Sequence, residues 1–172
     1  MLDPKPAERG PAAAMPAKLQ RPEGADLITP AVRALAELVE QVNRIVYGLG
    51  FSGGVNPAQW AALRYFSRAP EGRRTVGGLA EYQCVTAPTA SETVSALVRK
   101  GYVERRPSLT DKRSHTLILT AEGQALLRMD PQAEVAVALK ALTDDQRLGL
   151  AEALDVLQRQ LLARRQLRRN HA

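Results

Sequence analysis

Between Thr86 and Thr120 the chain reads TAPTASETVSALVRKGYVERRPSLTDKRSHTLILT, and its polar groups are spaced for hydrogen bonding in a groove. Thr86 can cap a helix, its hydroxyl accepting from the first unpaired backbone N–H groups. Pro88 is tolerable that close to a helix start. Ala90, Val94, Leu97 and Val98 fall at helical spacing on one side, as a core-facing stripe should. The other side carries Pro88, Glu92, Ser95, Ala96 and Arg99, with Thr89 at its edge. Small polar side chains let a helix sink into a groove, and their hydroxyls donate or accept at base edges. Beyond this helix Arg105, Arg106, Lys112 and Arg113 crowd the two ends of one polar turn, Pro107–Lys112. Cations there suit a polyanion.

Gly101 stops the helix as the glycine just past its end. The period then changes: Tyr102–Arg106 and Arg113–Leu119 are rich in β-branched, aromatic and basic residues, and a polar turn between two such runs makes a β-hairpin. Upstream, Thr75 caps a short helix through Ala80 and Tyr82, in which Gly77 and Gly78 each cost about 1 kcal/mol relative to alanine. This helix and the next form a helix-turn-helix pair, and the hairpin after them makes it winged. Asn56-Pro57-Ala58-Gln59 resembles a capping box and opens a helix to Ser67 presenting Trp60, Leu63 and Phe66. Thr29-Pro30 opens the first helix, with Leu35, Val39, Val42, Val46 and Leu49 in a four-three seam suited to another helix. After the hairpin Thr120 caps a helix through Met129. Asp130-Pro131 interrupts it, predicting a kink or a restart capped by Asp130. Thr143–Gln146 is a further capping box, followed by the seam Leu150, Leu154, Leu157 and Leu161. Neither seam has an obvious partner inside a compact winged-helix unit, so pairing between subunits in a two-fold dimer is the simplest solution.

These residues resemble the MarR (multiple-antibiotic-resistance regulator) family of winged helix-turn-helix transcription factors. The resemblance rests on Leu97–Arg105 (LVRKGYVER), Asp111-Lys112-Arg113 and Leu117–Gly123 (LILTAEG), with their spacing, and it extends roughly from Pro30 to Leu161. Glu92 departs from the pattern, where a basic or small residue is commoner. The resemblance implies that Arg113 enters a minor groove with Asp111 holding it. It also implies one long helix after the wing, where this chain has Asp130-Pro131. It further implies an effector, typically a small aromatic acid. Tyr47, Phe51, Trp60 and Tyr65 are the candidates to line its pocket, although any one of them alone reads as ordinary core.

The fold expected is therefore mainly α with a small β-hairpin: a winged helix-turn-helix plus N- and C-terminal dimerisation helices. Residues 1–24, rich in proline and alanine, cannot offset their conformational entropy by burial and read as a disordered arm. A dimerisation helix is expected over 29–50, the DNA-binding domain over 56–123 and C-terminal dimerisation helices over 124–168. DNA contacts are expected from Thr86, Pro88, Thr89, Glu92, Ser95, Arg99, Arg105, Arg106, Asp111, Lys112 and Arg113. The dimer contacts expected are Leu35, Val39, Val42, Leu150, Leu154, Leu157 and Leu161.

The totals agree. A net charge of +6 favours a polyanionic partner. One cysteine excludes an intrachain disulfide framework and fits a reducing cytoplasm. No run approaches the ~18 apolar residues of a membrane span, and the N-terminus has no apolar signal segment. Location in the cytoplasm at the nucleoid is expected. There is no Gly-rich phosphate loop, nucleophile elbow, paired-carboxylate motif or metal set, so no enzyme, cofactor or metal is expected. His115 and His171 are too few for a metal cluster. The leading function is a homodimeric repressor that holds a near-palindromic double-stranded operator until a small aromatic or anionic effector releases it. Two alternatives stand beside it. One is a redox-responsive regulator of the same fold sensing through Cys84, although that residue reads better as a buried structural thiol, with no lysine or histidine beside it to lower its pKa. The other is a winged-helix module that binds protein instead of DNA.

Overall fold

Short-range hydrogen bonds set the helix starts. Asn56 accepts from the Gln59 N–H at 2.9 Å while Gln59 Oε1 accepts from the Asn56 N–H at 3.3 Å, closing the capping box that opens α2 (Pro57–Arg68). Thr75 accepts from the Gly78 N–H at the start of α3 (Val76–Tyr82). Thr86 accepts from the Thr89 N–H at the start of α4 (Ala87–Arg99). Thr120 does the same for Gly123 in α5 (Ala121–Leu127), and its hydroxyl also donates to the Gly101 carbonyl at 2.6 Å.

The structure, a computed structural model, describes residues 27–107 and 115–170, together with Gly24. It opens with α1 (Pro30–Leu49), and β1 (Val103–Pro107) and β2 (His115–Leu119) lie between α4 and α5. After α5 come α6 (Gln132–Leu139) and α7 (Asp144–Asn170). The fold class read from the sequence is met: mostly helix with one two-stranded antiparallel sheet. Two compact units divide the chain, Met1–Val42 and Asn43–Ala172. The arm over 1–24 lies, Gly24 apart, outside the described residues, as do Asp111, Lys112 and Arg113.

The core of the second unit is gathered from α2, α3, α4 and the sheet. Trp60, Leu63, Phe66, Leu79, Ala90, Val94, Leu97, Val103 and Leu117 are all essentially inaccessible. The stripe predicted for α4 is the buried one, with Val98 half-buried at its edge. At the end of α4 the Tyr102 N–H donates to Leu97 O and the Gly101 N–H to Val98 O, while Gly101 takes φ +77°. That pairing is the helix-ending motif in which a left-handed glycine lets the next two N–H groups turn back. It consumes Tyr102, so β1 starts one residue later than the composition suggests. In the sheet Val103 pairs Leu119 and Pro107 pairs His115. Lys100 ties the base of α4 to the α2 entry, its Nζ donating to Gly54 O at 2.6 Å and Gln59 Oε1 at 2.9 Å.

Gly78, which the sequence marks as a weakness in α3, has a packing reason. A Cβ there would overlap both the Tyr65 hydroxyl and the Arg73 carbonyl, which are hydrogen-bonded to each other. Gly78→Ala should therefore destabilise the fold by about 2 kcal/mol or more, although alanine is the better helix former. Adding Tyr65→Phe should recover only part of this, because the backbone carbonyl remains. A chemical-denaturation midpoint equal to wild type for Gly78→Ala would overturn this account.

The helix after the wing is broken where Asp130-Pro131 predicted. The N-cap of α6 is Pro131, which offers no side-chain bond, and not Asp130 as expected. Asp130 Oδ1, one residue earlier, accepts from the Gln132 N–H at 2.9 Å and from Arg64 Nη1 of α2 at 2.8 Å. A second break follows, and Thr143 and Gln146 exchange the two bonds of a capping box as α7 begins. Two helices, α5 and α6, thus stand where the resemblance implied one, and α7 opens at the capping box read at Thr143–Gln146.

Candidate nucleic-acid interface

Burying one stripe of α4 leaves the opposite stripe outward. Pro88, Thr89, Glu92, Ser95 and Arg99 are all exposed, and Thr86 is exposed at the cap. Thr86 and Thr89 hydroxyls lie 2.9 Å apart, and the Thr93 hydroxyl donates to the Thr89 carbonyl, so α4 enters with its first turn ordered. From the wing, Arg105 Nη2 reaches 3.5 Å from Ser95 Oγ, bringing β1 and the outer face of α4 into one surface. Arg106 extends from the same strand, paired with Glu104. The described DNA candidates from Thr86 to Arg106 are thus contiguous, a hydroxyl-rich ridge flanked by guanidinium groups.

Cys84 corrects an expectation. It is exposed, not buried, and takes φ +56°, the left-handed conformation that turns α3 into α4. It lies in the turn between α3 and α4 and on the buried stripe of neither, so the core does not enclose it. Its carbonyl accepts from Arg165 of α7. His115 is exposed at the start of β2, and no group of three or more potential metal ligands occurs among the described residues.

The aromatic candidates separate. Tyr47 and Trp60 line one cavity of about 160 Å³, and Phe51 packs edge-on against Tyr47 with ring centroids 5.3 Å apart. Tyr65 lies elsewhere, stacked on Tyr82 with its hydroxyl on Arg73. The cavity also takes Asn43, Arg64, Gln132 and Val135 into its wall. Sequence reasoning passes over Arg64, Gln132 and Val135. Arg64 looks like any surface residue of α2, and nothing in a single sequence links it to Asp130, 66 positions away. Among the described residues Trp60 Nε1 is buried without a hydrogen-bond partner.

On the seams, Leu35, Val39 and Val42 of the first unit are exposed, and so are Leu150, Leu154, Leu157 and Leu161 of the second.

An α3–α4 pair followed by a two-stranded wing defines a winged helix-turn-helix protein. Residues 53–114 match the sequence model of the MarR family, so the resemblance read from the recognition helix and wing holds over this segment. The fold is that of MarR-family transcription regulators. A probable transcriptional regulator from Pseudomonas aeruginosa is 24% identical with a TM-score of 0.60, over 71% of this chain and 95% of that one. A MarR/EmrR family regulator from Acinetobacter sp. ADP1 is 20% identical with a TM-score of 0.63, over 78% and 98%. MepR of S. aureus, in a DNA complex, is 16% identical with a TM-score of 0.62, over 77% and 96%. No curated protein sequence matches the chain. The proteins it resembles are transcription regulators, not enzymes.

Proposed function

We propose that this chain is a homodimeric, sequence-specific DNA-binding regulator, a repressor released from a near-palindromic operator by a small aromatic or anionic effector. The observation that carries the reading is the contiguous surface of α4 and β1, joined at Arg105 and Ser95. The S. aureus neighbour with the same fold is a DNA complex, which supports it. Two copies of α4 related by a two-fold axis would enter successive major grooves roughly 34 Å apart. Thr86, Pro88, Thr89, Glu92, Ser95 and Arg99 would meet base edges and sugar-phosphate, and Arg105, Arg106, Asp111, Lys112 and Arg113 the flanking backbone and minor groove. The exposed leucine and valine seams of α1 and α7 supply the dimer contacts, since apolar stripes of this length are rarely left in water. Among the described residues no helix is long and apolar enough to cross a membrane. A regulator that works on DNA belongs in the cytoplasm, at the nucleoid. Footprinting on the DNA upstream of its own gene tests the reading. Protection of an inverted repeat is expected, and protection of nothing above random DNA would end it.

The effector site we assign to the Tyr47–Trp60 cavity. Its volume is close to that at which a protein cavity takes a single aromatic ring, and the Arg64 guanidinium in its wall suits a carboxylate. An occupant there touches α2 of the reading head and α6 beyond the break, so it can bias their arrangement and hence the spacing of the two α4 helices. Val135→Trp, which fills the cavity from its half-buried rim, should abolish release by aromatic acids while changing operator affinity less than threefold. Retained release would put the effector elsewhere. The exposure of Cys84 favours a second reading, in which oxidation of its thiol releases DNA. Operator binding indifferent to peroxide would remove it.

A further inference from the structure

Helix α7 has 27 residues and is therefore roughly 40 Å long, enough to bring its far end to the turn between α3 and α4. There Arg165 donates to the Cys84 carbonyl, two residues before the cap of the recognition helix. The sequence at that end is one-signed. After Asp155, which pairs with Arg159, five arginines follow with no carboxylate. Arg168 lies one turn beyond Arg165 on the same side, and Arg164 stands beside Arg168 at the four-residue spacing of neighbours. Arg164 and Arg168 are exposed, and among the described residues no carboxylate pairs with Arg164, Arg165 or Arg168. Cations at a helix C-terminus do favour its dipole, but that effect is confined to the last turn and is weak at an exposed site. It explains neither four arginines at the end nor the anchoring of one of them on the turn.

We infer that the arginine end of α7 is a second DNA-contacting surface, which grips the phosphodiester backbone beside the entry point of α4. The occupant is fixed by charge and by continuity. The charged side chains of the patch are all arginine, and Arg165 sets it on the Cys84 carbonyl, two residues before Thr86, where the surface already assigned to DNA begins. Its contacts would be to phosphate, so they add affinity without sequence preference. The inference rests on the DNA-binding reading, and the test keeps the two apart.

The full chain and its Arg164→Gln/Arg168→Gln variant are titrated with operator duplex across a salt series. Glutamine keeps the helix propensity and removes only the charge. Each phosphate left without its arginine should lower the slope of log affinity against log salt by about 0.9, so the slope of a dimer should fall by about 3 to 4. At low salt the affinity should fall at least tenfold for operator and random DNA alike. Light scattering and thermal melting should match wild type, because both residues are exposed and lie beyond the Leu150–Leu161 seam. Wild-type protein that binds with the variant's slope within one unit of its own would overturn this inference and leave the DNA reading standing. Wild-type protein that binds no duplex would overturn both.

Discussion

Leu154→Glu should yield a folded monomer that no longer holds its operator tightly. Leu154 lies at the centre of the α7 seam and is 50% exposed in the single chain, so the substitution takes little from the subunit's own core. In a dimer the same side chain would be covered, and a carboxylate there would lose apolar burial and be desolvated without a partner. A single lobe keeps half of the interface with DNA. Specific binding typically exceeds non-specific binding by about 4–10 kcal/mol, so losing half of it weakens binding by roughly two to three orders of magnitude. The salt slope should halve. Mass by light scattering, the melting curve and the slope decide it together. A variant that remains dimeric with an unchanged slope would show that the two-fold contact does not use this seam.

Arg113→Ala should reduce operator affinity by about 1–3 kcal/mol per half-site while leaving the fold unchanged. The wing-tip pattern Asp111-x-Arg113 matches one in which the acid orients a guanidinium in the minor groove. An A·T-rich groove is narrow and carries the stronger negative potential, so the loss should be largest for operators with A·T pairs at the wing positions. Asp111→Ala should lose less than Arg113→Ala, because it removes the orienting group and not the charge. Equal affinities of wild type and Arg113→Ala at fixed salt would remove the wing from the interface.

What is legible in the sequence is whatever short-range rules govern. The capping residues Asn56, Thr75, Thr86, Thr120 and Thr143 are all visible there because a cap is decided within three positions of the chain. The buried stripe of α4 follows from its period, and the outward stripe is then its complement. Three things escape. Gly78 looks like a flaw in α3, because its value lies in the approach of Arg73 and Tyr65 from outside the helix. Cys84 reads as a buried structural thiol because no lysine or histidine stands beside it, yet it lies exposed in the turn between α3 and α4, a placement that only the packed helices decide. The aromatic group does not stay together. Tyr47 and Trp60 meet in one cavity, while Tyr65 serves the packing of α3, and the polar wall that includes Arg64 depends on a pairing across 66 positions that periodicity cannot show.

Trp60 gives the molecule an optical handle. It is the sole tryptophan in the chain, so all indole emission comes from this one ring in the cavity wall. Buried as it is, with no acceptor on its Nε1–H among the described residues, it should emit at the short-wavelength end of the indole range, and an occupant of the cavity should quench or shift that emission. A candidate effector can thus be titrated on unlabelled protein before any operator is known. Repeating the titration with operator DNA present would measure the coupling directly. The factor by which DNA weakens the effector must equal the factor by which the effector weakens DNA.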